Sequence, residues 1–159
     1  MTRRYGRAAP GQRVPEAVPS ARGTALSTIA ALGLDGLRAS LSVRGAVDGE
    51  VMQFFVEQVL APQLQAGEVV VWDNAAIHKL ASVPSTLATA GARLEFLPTY
   101  SPDFNPIELC WSKLKTLMRA DKPCTYAELL AALQQAMEQV TPQDIAGWFE
   151  HCGYTIAPK

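Results

Sequence analysis

No apolar run in the 159 residues approaches the roughly 20 residues that a membrane-spanning helix requires, and the Arg-rich N-terminus is not followed by the hydrophobic stretch of a secretory signal. A cytoplasmic protein with no membrane partner is therefore expected. Cysteine is scarce too. Cys110, Cys124 and Cys152 are odd in number and widely spaced, which excludes a disulfide framework or a C-x-x-C metal pair and leaves buried free thiols as the reading. Internal repeats and low-complexity segments are also missing. Most telling is the lack of any Lys or Arg between Arg44 and Lys79, a stretch that holds Asp48, Glu50, Glu57, Glu68 and Asp73. The net charge of -1 hides this asymmetry, because Arg3, Arg4, Arg7, Arg13 and Arg22 lie on one side and Lys113, Lys115, Arg119 and Lys122 on the other. A polyanion would find two basic flanks around an acidic, metal-attracting centre, although solvated charges without a partner fit the charge pattern equally well.

What is present is the material of one globular domain: 48% hydrophobic and 18% charged residues, enough for a sizeable core. Residues 1–23 are basic, proline-containing and weakly periodic, and read as an irregular lead-in to a domain over 24–159. Apolar runs at Leu26–Leu34 and Leu37–Val43, joined at Asp35-Gly36, predict an antiparallel hairpin. Asp48 is placed to cap a helix with Val51, Phe54, Phe55 and Val59 at helical spacing, stopped near Pro62. Val69–Trp72 is continuously apolar, as expected for a strand covered on both faces, and delivers Asp73 at its carboxyl end, where ligand sites of open α/β sheets lie. A helix over about 82–90, a strand at 94–97 and a loop from Pro98 to Pro106 follow. Three helices close the chain. The first starts at Asn105-Pro106 with Ile107, Cys110, Trp111, Leu114, Leu117 and Met118 as its buried stripe and Glu108, Ser112, Lys115 and Arg119 on another face. Thr125 with Glu128 and Thr141 with Asp144 announce the other two. The order predicts a mixed sheet flanked by helices.

Two carboxylates carry the chemistry. Asp73 and Glu108 are separated by 34 residues, one ending a strand and the other opening a helix, so that a sheet can hold both over one point. A pair about 4 Å apart repels by roughly 4 kcal/mol at an effective dielectric near 20, so it stays ionised only with a cation or strong donors between its members. A divalent metal serving phosphoryl transfer on nucleic acid is one answer. Each residue also has a local explanation: Asp73 as a turn residue or cap, Glu108 as one half of an Asn105/Glu108 capping box, with Phe104 stapled onto Leu109. Such metal sites usually need a third carboxylate. Glu16, Asp35, Asp48 and Asp103 each read as lead-in, turn or cap residues instead.

The joint occurrence of V-V-V-W-D-N-A-A-I-H-K and L-E-F-L-P-T-Y-S-P-D-F-N-P-I-E-L-C-W-S-K-L-K closely resembles the DDE transposases of the IS630-type and Tc1/mariner-like group, over nearly the whole chain. The most specific parts are Y-S-P-D-F-N-P-I-E and W-S-K-L-K. The resemblance implies a ribonuclease H-like α/β fold, lacking its first strand, and three carboxylates that hold two Mg²⁺ or Mn²⁺ ions. It implies DNA partners, namely transposon ends and target, and allows a homodimer. Asp73 matches the second acid and Glu108 the third. The first acid lies in relatives just before a T-R-R-Y-G-R-A motif, which here follows Met1 directly. The family's helix-turn-helix modules likewise have no counterpart here.

The expectation from this resemblance is a piece of a transposase catalytic domain, inactive or nearly so as 159 residues, with an upstream transposase segment as the missing partner. A non-catalytic nucleic-acid-binding remnant is the alternative. A third reading, an independent metal-dependent nuclease, would need an internal third acid. Asn74, His78, Tyr100, Ser101, Lys113, Lys115 and Arg119 are expected near the site or on DNA, each against an ordinary local role.

Overall fold

In the computed structural model the described residues are 9–13, 25–74 and 80–156. Strands β1 (Leu26–Gly33) and β2 (Gly36–Arg44) form an antiparallel hairpin. Its turn is Leu34-Asp35 and not Asp35-Gly36, one residue earlier than the sequence suggests, and Gly36 takes the positive φ of 142° that the turn's exit demands. The register shifts after Ala31, which pairs with Ala39 while Leu32 pairs with Leu37, so Arg38 is the bulged residue.

Asp48 caps α1 (Gly49–Phe54) by accepting from the Val51 N–H at 3.0 Å, as expected. The helix then widens into a π-helical turn over Phe55–Leu60 and tightens into a 3₁₀ turn at Ala61–Gln63, where Pro62 sits. Met52, Phe55, Val56 and Leu60 are buried, whereas Phe54, expected inside, is exposed.

Strand β3 (Val69–Trp72), helix α2 (Ser82–Thr89) and strand β4 (Arg93–Phe96) form a βαβ unit whose strands pair in parallel, Val69 with Arg93 through Trp72 with Phe96. Gly91, at a φ of 78°, ends the unit's helix, and its carbonyl accepts from the Gly67 N–H at 2.8 Å. β3 is not covered on both faces. Val70 and Trp72 pack inward, but Val69 and Val71 remain 41% and 37% exposed. The physical reason is that helical packing covers one face of the β3–β4 ladder only.

After a 3₁₀ turn at Pro102–Phe104 come α3 (Pro106–Asp121), α4 (Tyr126–Glu138) and α5 (Pro142–His151). Thr125/Glu128 and Thr141/Asp144 form reciprocal capping boxes, as their spacing predicts. Two apolar cores result. Met52, Phe55, Val56, Leu60, Val83 and Leu87 make one, and Cys110, Leu114, Met118, Leu133 and Ala136 form the centre of the other. The hairpin lies between them. Ile29, Ala31 and Leu41 face the first core while Leu26, Leu32 and Leu37 face the second, which follows on β1 from the period-2 alternation of side chains and on β2 from the bulge at Arg38, which switches faces between Leu37 and Leu41. Cys110 and Cys152 are buried thiols as expected, but Cys124, in the α3–α4 connection, is exposed.

Among the described residues the strands form two two-stranded ladders, β1–β2 and β3–β4, and not one continuous mixed sheet. One edge of β1 and one edge of β3 have no ladder partner among the described residues. No helix among those residues is long and apolar enough to cross a membrane.

Candidate metal centre at the mouth of the inter-sheet cavity

A cavity of about 650 Å³ separates the two ladders, lined by β1 from Thr28 through Leu34 and by the β3 run from Val69 to Asp73. The start of α3 closes it through Asn105–Glu108 and Trp111, and Phe149 and Tyr154 contribute from the C-terminal segment. Asp73 and Glu108 therefore border one space from two elements, as their spacing predicts. Both side chains are solvent-exposed.

The capping alternative for Glu108 does not form. The Asn105 N–H that the glutamate would accept from already donates to the Pro102 carbonyl at 2.9 Å, and Asn105 makes no side-chain cap bond. The 3₁₀ turn before α3 thus consumes the donor and leaves Glu108 for other work. Phe104, expected to staple onto Leu109, is 51% exposed. Asn74 is occupied differently from expectation: its Nδ2 donates to the Leu97 carbonyl at 3.3 Å, and Leu97 N–H donates to the Trp72 carbonyl at 2.7 Å. These bonds extend the β3–β4 ladder past its last strand pair and hold the carboxyl end of β3, where Asp73 sits, against the chain leading to α3.

Tyr100 is fully exposed in the β4–α3 loop and holds a φ of 57°, a left-handed conformation unusual for an aromatic residue. Ser101 beside it donates to the Thr99 carbonyl at 3.3 Å, a local bond. His78 lies outside the described residues. Lys115 is exposed and Arg119 half-buried on α3, on the helix that bears Glu108.

Lys113 takes another role. Its Nζ donates to Asp144 Oδ2, joining α3 to α5. The ammonium, followed by the Thr141 hydroxyl and N–H, holds the Asp144 carboxyl down at about 2. A carboxyl depressed in the folded state contributes stability above its ordinary pKa and loses it as pH falls toward the depressed value, here over roughly pH 4 to 2. Lys113→Met is expected to return the Asp144 titration, followed by carboxyl NMR shifts, toward the ordinary carboxylate range; an unmoved titration would assign the depression to Thr141 alone. Burial, and after it the Asp144 carboxylate, push the neighbouring Cys110 thiol up to about 11 against a smaller opposing pull from the Lys113 ammonium, which keeps the thiol protonated.

Sequence reasoning missed Arg38. From its bulge it donates to Asp35 Oδ1 at 2.7 Å and to Glu68 Oε1, tying the hairpin to the residue before β3. The Gln65 N–H, and after it Arg38, lower the Glu68 carboxyl below its ordinary range. Glu68 and Asp73 flank β3, so this ion pair closes the cavity at the end opposite the Asp73 carboxylate. Only the bulge could have signalled it, and no local pattern marks one.

The donor chemistry at the Asp73 end suits a hard divalent cation, since carboxylate oxygens with water and phosphate completing the shell are what Mg²⁺ and Mn²⁺ take. Asp73 and Glu108 alone supply two carboxylates. No group of three or more His, Cys, Asp or Glu side chains able to hold a metal occurs among the described residues.

The family profile of the DDE superfamily endonucleases matches residues 1–130. The chain therefore belongs to the DDE superfamily endonuclease family. Comparison with curated protein sequences finds no match. Two solved structures are similar: a Mos1 strand transfer complex, at a TM-score of 0.73 and 18% identity over 95% of this chain and 46% of that one, and a pre-cleavage Mos1 transpososome, at 0.70 and 16% over 98% and 53%. These likenesses establish the ribonuclease H-like α/β fold. The chain spans about half the length of those solved chains.

Proposed function

We propose that this chain is part of the catalytic domain of an IS630-type, Tc1/mariner-like transposase, which cuts and joins DNA strands using Mg²⁺ or Mn²⁺. The observation that carries the reading is the convergence of Asp73, at the end of β3, and Glu108, in the first turn of α3, on one cavity between the two ladders. Asp73 and Glu108 would hold the metal, which supplies an activated oxygen nucleophile and stabilisation of the leaving oxygen at the phosphodiester. The part played by the chain itself is positional. The Asn74–Leu97 bond fixes the exit of β3, the 3₁₀ turn at Pro102–Phe104 fixes the entry of α3, and the two carboxylates are thereby presented to a DNA backbone from separate rigid elements.

The third carboxylate is proposed to come from a transposase segment upstream of residue 1, paired as a strand between β1 and β3; without it the 159 residues would be inactive or nearly so. Lys115 and Arg119 are proposed to bind phosphate, Tyr100 to stack against DNA, and assembly to be dimeric on DNA in the cytoplasm. The strained, fully exposed Tyr100 supports its part, because backbone strain of this kind tends to persist where function requires it.

A second reading, a nucleic-acid-binding remnant that does not cut, is favoured by the shortage of a third ligand among the described residues. A Mg²⁺-dependent nicking assay on the upstream-extended protein separates the two. Asp73→Ala and Glu108→Ala are each expected to abolish nicking while leaving DNA retention at low salt in place. Equal nicking by the parent and both variants would sink the site assignment, and retention with no nicking in any of them would install the remnant.

A further inference from the structure

We propose that Tyr154 is a positioning residue for Glu108, with the segment beyond α5 acting as a clamp on the turn that launches α3. The inference rests on the reading of Glu108 as a metal-holding carboxylate. The Tyr154 hydroxyl donates to the Phe104 carbonyl at 3.0 Å, across 50 residues of sequence. That carbonyl belongs to the turn that sets the direction of the helix: Phe104 N–H donates to the Ser101 carbonyl, Asn105 N–H to that of Pro102, and Glu108 N–H to that of Asn105 at 3.1 Å. Pro102, Asp103 and Phe104 are all exposed. Core burial therefore does not hold the turn, and the phenol supplies the long-range polar anchor.

Tyr154 is itself well placed to serve as one. Its N–H donates to the Phe149 carbonyl at 3.0 Å, Gly153 turns the chain at a φ of 85°, and the Phe149 and Tyr154 rings meet edge to face with centroids 5.6 Å apart. Five residues after Glu108, the Lys113–Asp144 ion pair fixes α3 to the first turn of α5. Glu108 thus lies between two anchors, Phe104 before it and Lys113 after it, and both are held by the α5 segment. Two contacts close a ring: α3, then Lys113–Asp144, then α5, then Tyr154–Phe104 and back to α3. Pro106 is buried at the start of α3, but the turn before it, with its side chains exposed, would otherwise loosen, and a carboxylate in the first turn of the helix it launches would move with it. The whole clamp, residues 141–154, lies beyond the residues matched by the family profile, which end at 130.

The test uses the full chain and Tyr154→Phe, which keeps the ring and removes only the hydroxyl. Two readouts are needed. Amide hydrogen exchange between Phe104 and Glu108 is expected to quicken by roughly two- to tenfold while α4 stays unchanged, as loss of one hydrogen bond implies. Mn²⁺ affinity, titrated by electron paramagnetic resonance, is expected to fall roughly tenfold, the lower end of what supporting partners of metal ligands contribute, whereas a merely structural tyrosine would leave it unmoved in the folded protein. Parental exchange and parental Mn²⁺ affinity in Tyr154→Phe would overturn the proposal. If Glu108→Gln leaves Mn²⁺ binding of the parent intact, the metal-site reading fails, and the clamp then stands or falls on the exchange at 104–108 alone.

Discussion

Extending the chain by the segment encoded immediately upstream of Met1 is expected to raise Mg²⁺-dependent nicking of duplex DNA by at least about 10³-fold over the 159 residues alone. The magnitude follows from the chemistry. On the proposed reading, a third carboxylate from that segment would complete the ligand set; metal stabilisation of developing charge is worth several kcal/mol, and each 1.36 kcal/mol is a factor of ten, so about 4 kcal/mol gives the stated ratio. The structural half of the expectation is independent of activity. β1 and β3 border one cavity and are each paired in a ladder on one side among the described residues, so an extended apolar segment entering the cavity would pair with both, and their outward-facing amides would gain protection from hydrogen exchange. Nicking and exchange measured on the 159-residue and extended proteins check both halves. If the upstream codons encode no acidic residue in any frame, or the extended protein nicks no faster, the third-acid reading is lost.

The parts of the fold that were legible in the sequence are those written locally. Asp48, Thr125/Glu128 and Thr141/Asp144 cap as their spacing dictates, because a cap is decided within four residues. Asn105/Glu108 has the same spacing and does not cap, because the competing acceptor for the Asn105 N–H is the Pro102 carbonyl, set by a turn that no pairwise pattern reveals. Phe54 faces solvent because the buried stripe is Met52, Phe55, Val56 and Leu60, spaced i, i+3, i+4 and i+8, and Phe54 lies two residues, about 200° around the helix, from Met52. The candidate site was legible in outline, since Asp73 and Glu108 do border one cavity. Its supports were not. Asp144 lies 31 residues from Lys113, Glu68 lies 30 from Arg38 and Phe104 lies 50 from Tyr154, and sequence spacing has no signal at such distances. The Lys113 charge illustrates the consequence: read from the helix surface it belongs to a DNA-facing stripe, whereas in the fold its partner is Asp144.

The largest stability effect is expected at Phe55, whose replacement by Ala should lower the free energy of unfolding by about 3–5 kcal/mol, the range for removing a fully buried aromatic. Phe55 is 1% exposed and lies at the centre of the first core, where Ile29, Ala31 and Leu41 of the hairpin meet Val70 and Trp72 of β3. It also lines the inter-sheet cavity, so truncation enlarges an existing void instead of creating one that neighbours could close. Against a total stability of about 5–15 kcal/mol for a domain of this kind, the loss is a large fraction. Leu114→Ala, at the centre of the second core, should cost about 2–5 kcal/mol by the same argument, but the two should differ in where they loosen the protein. The Phe55 change releases β3 and hence Asp73; the Leu114 change releases α3 and hence Glu108. Because the hairpin packs on both cores through its two faces, each loss should still register in one cooperative denaturant transition. A Phe55→Ala midpoint corresponding to less than about 1.5 kcal/mol would show that the cavity collapses around the smaller side chain, and that the space between the ladders is not held open by its own core.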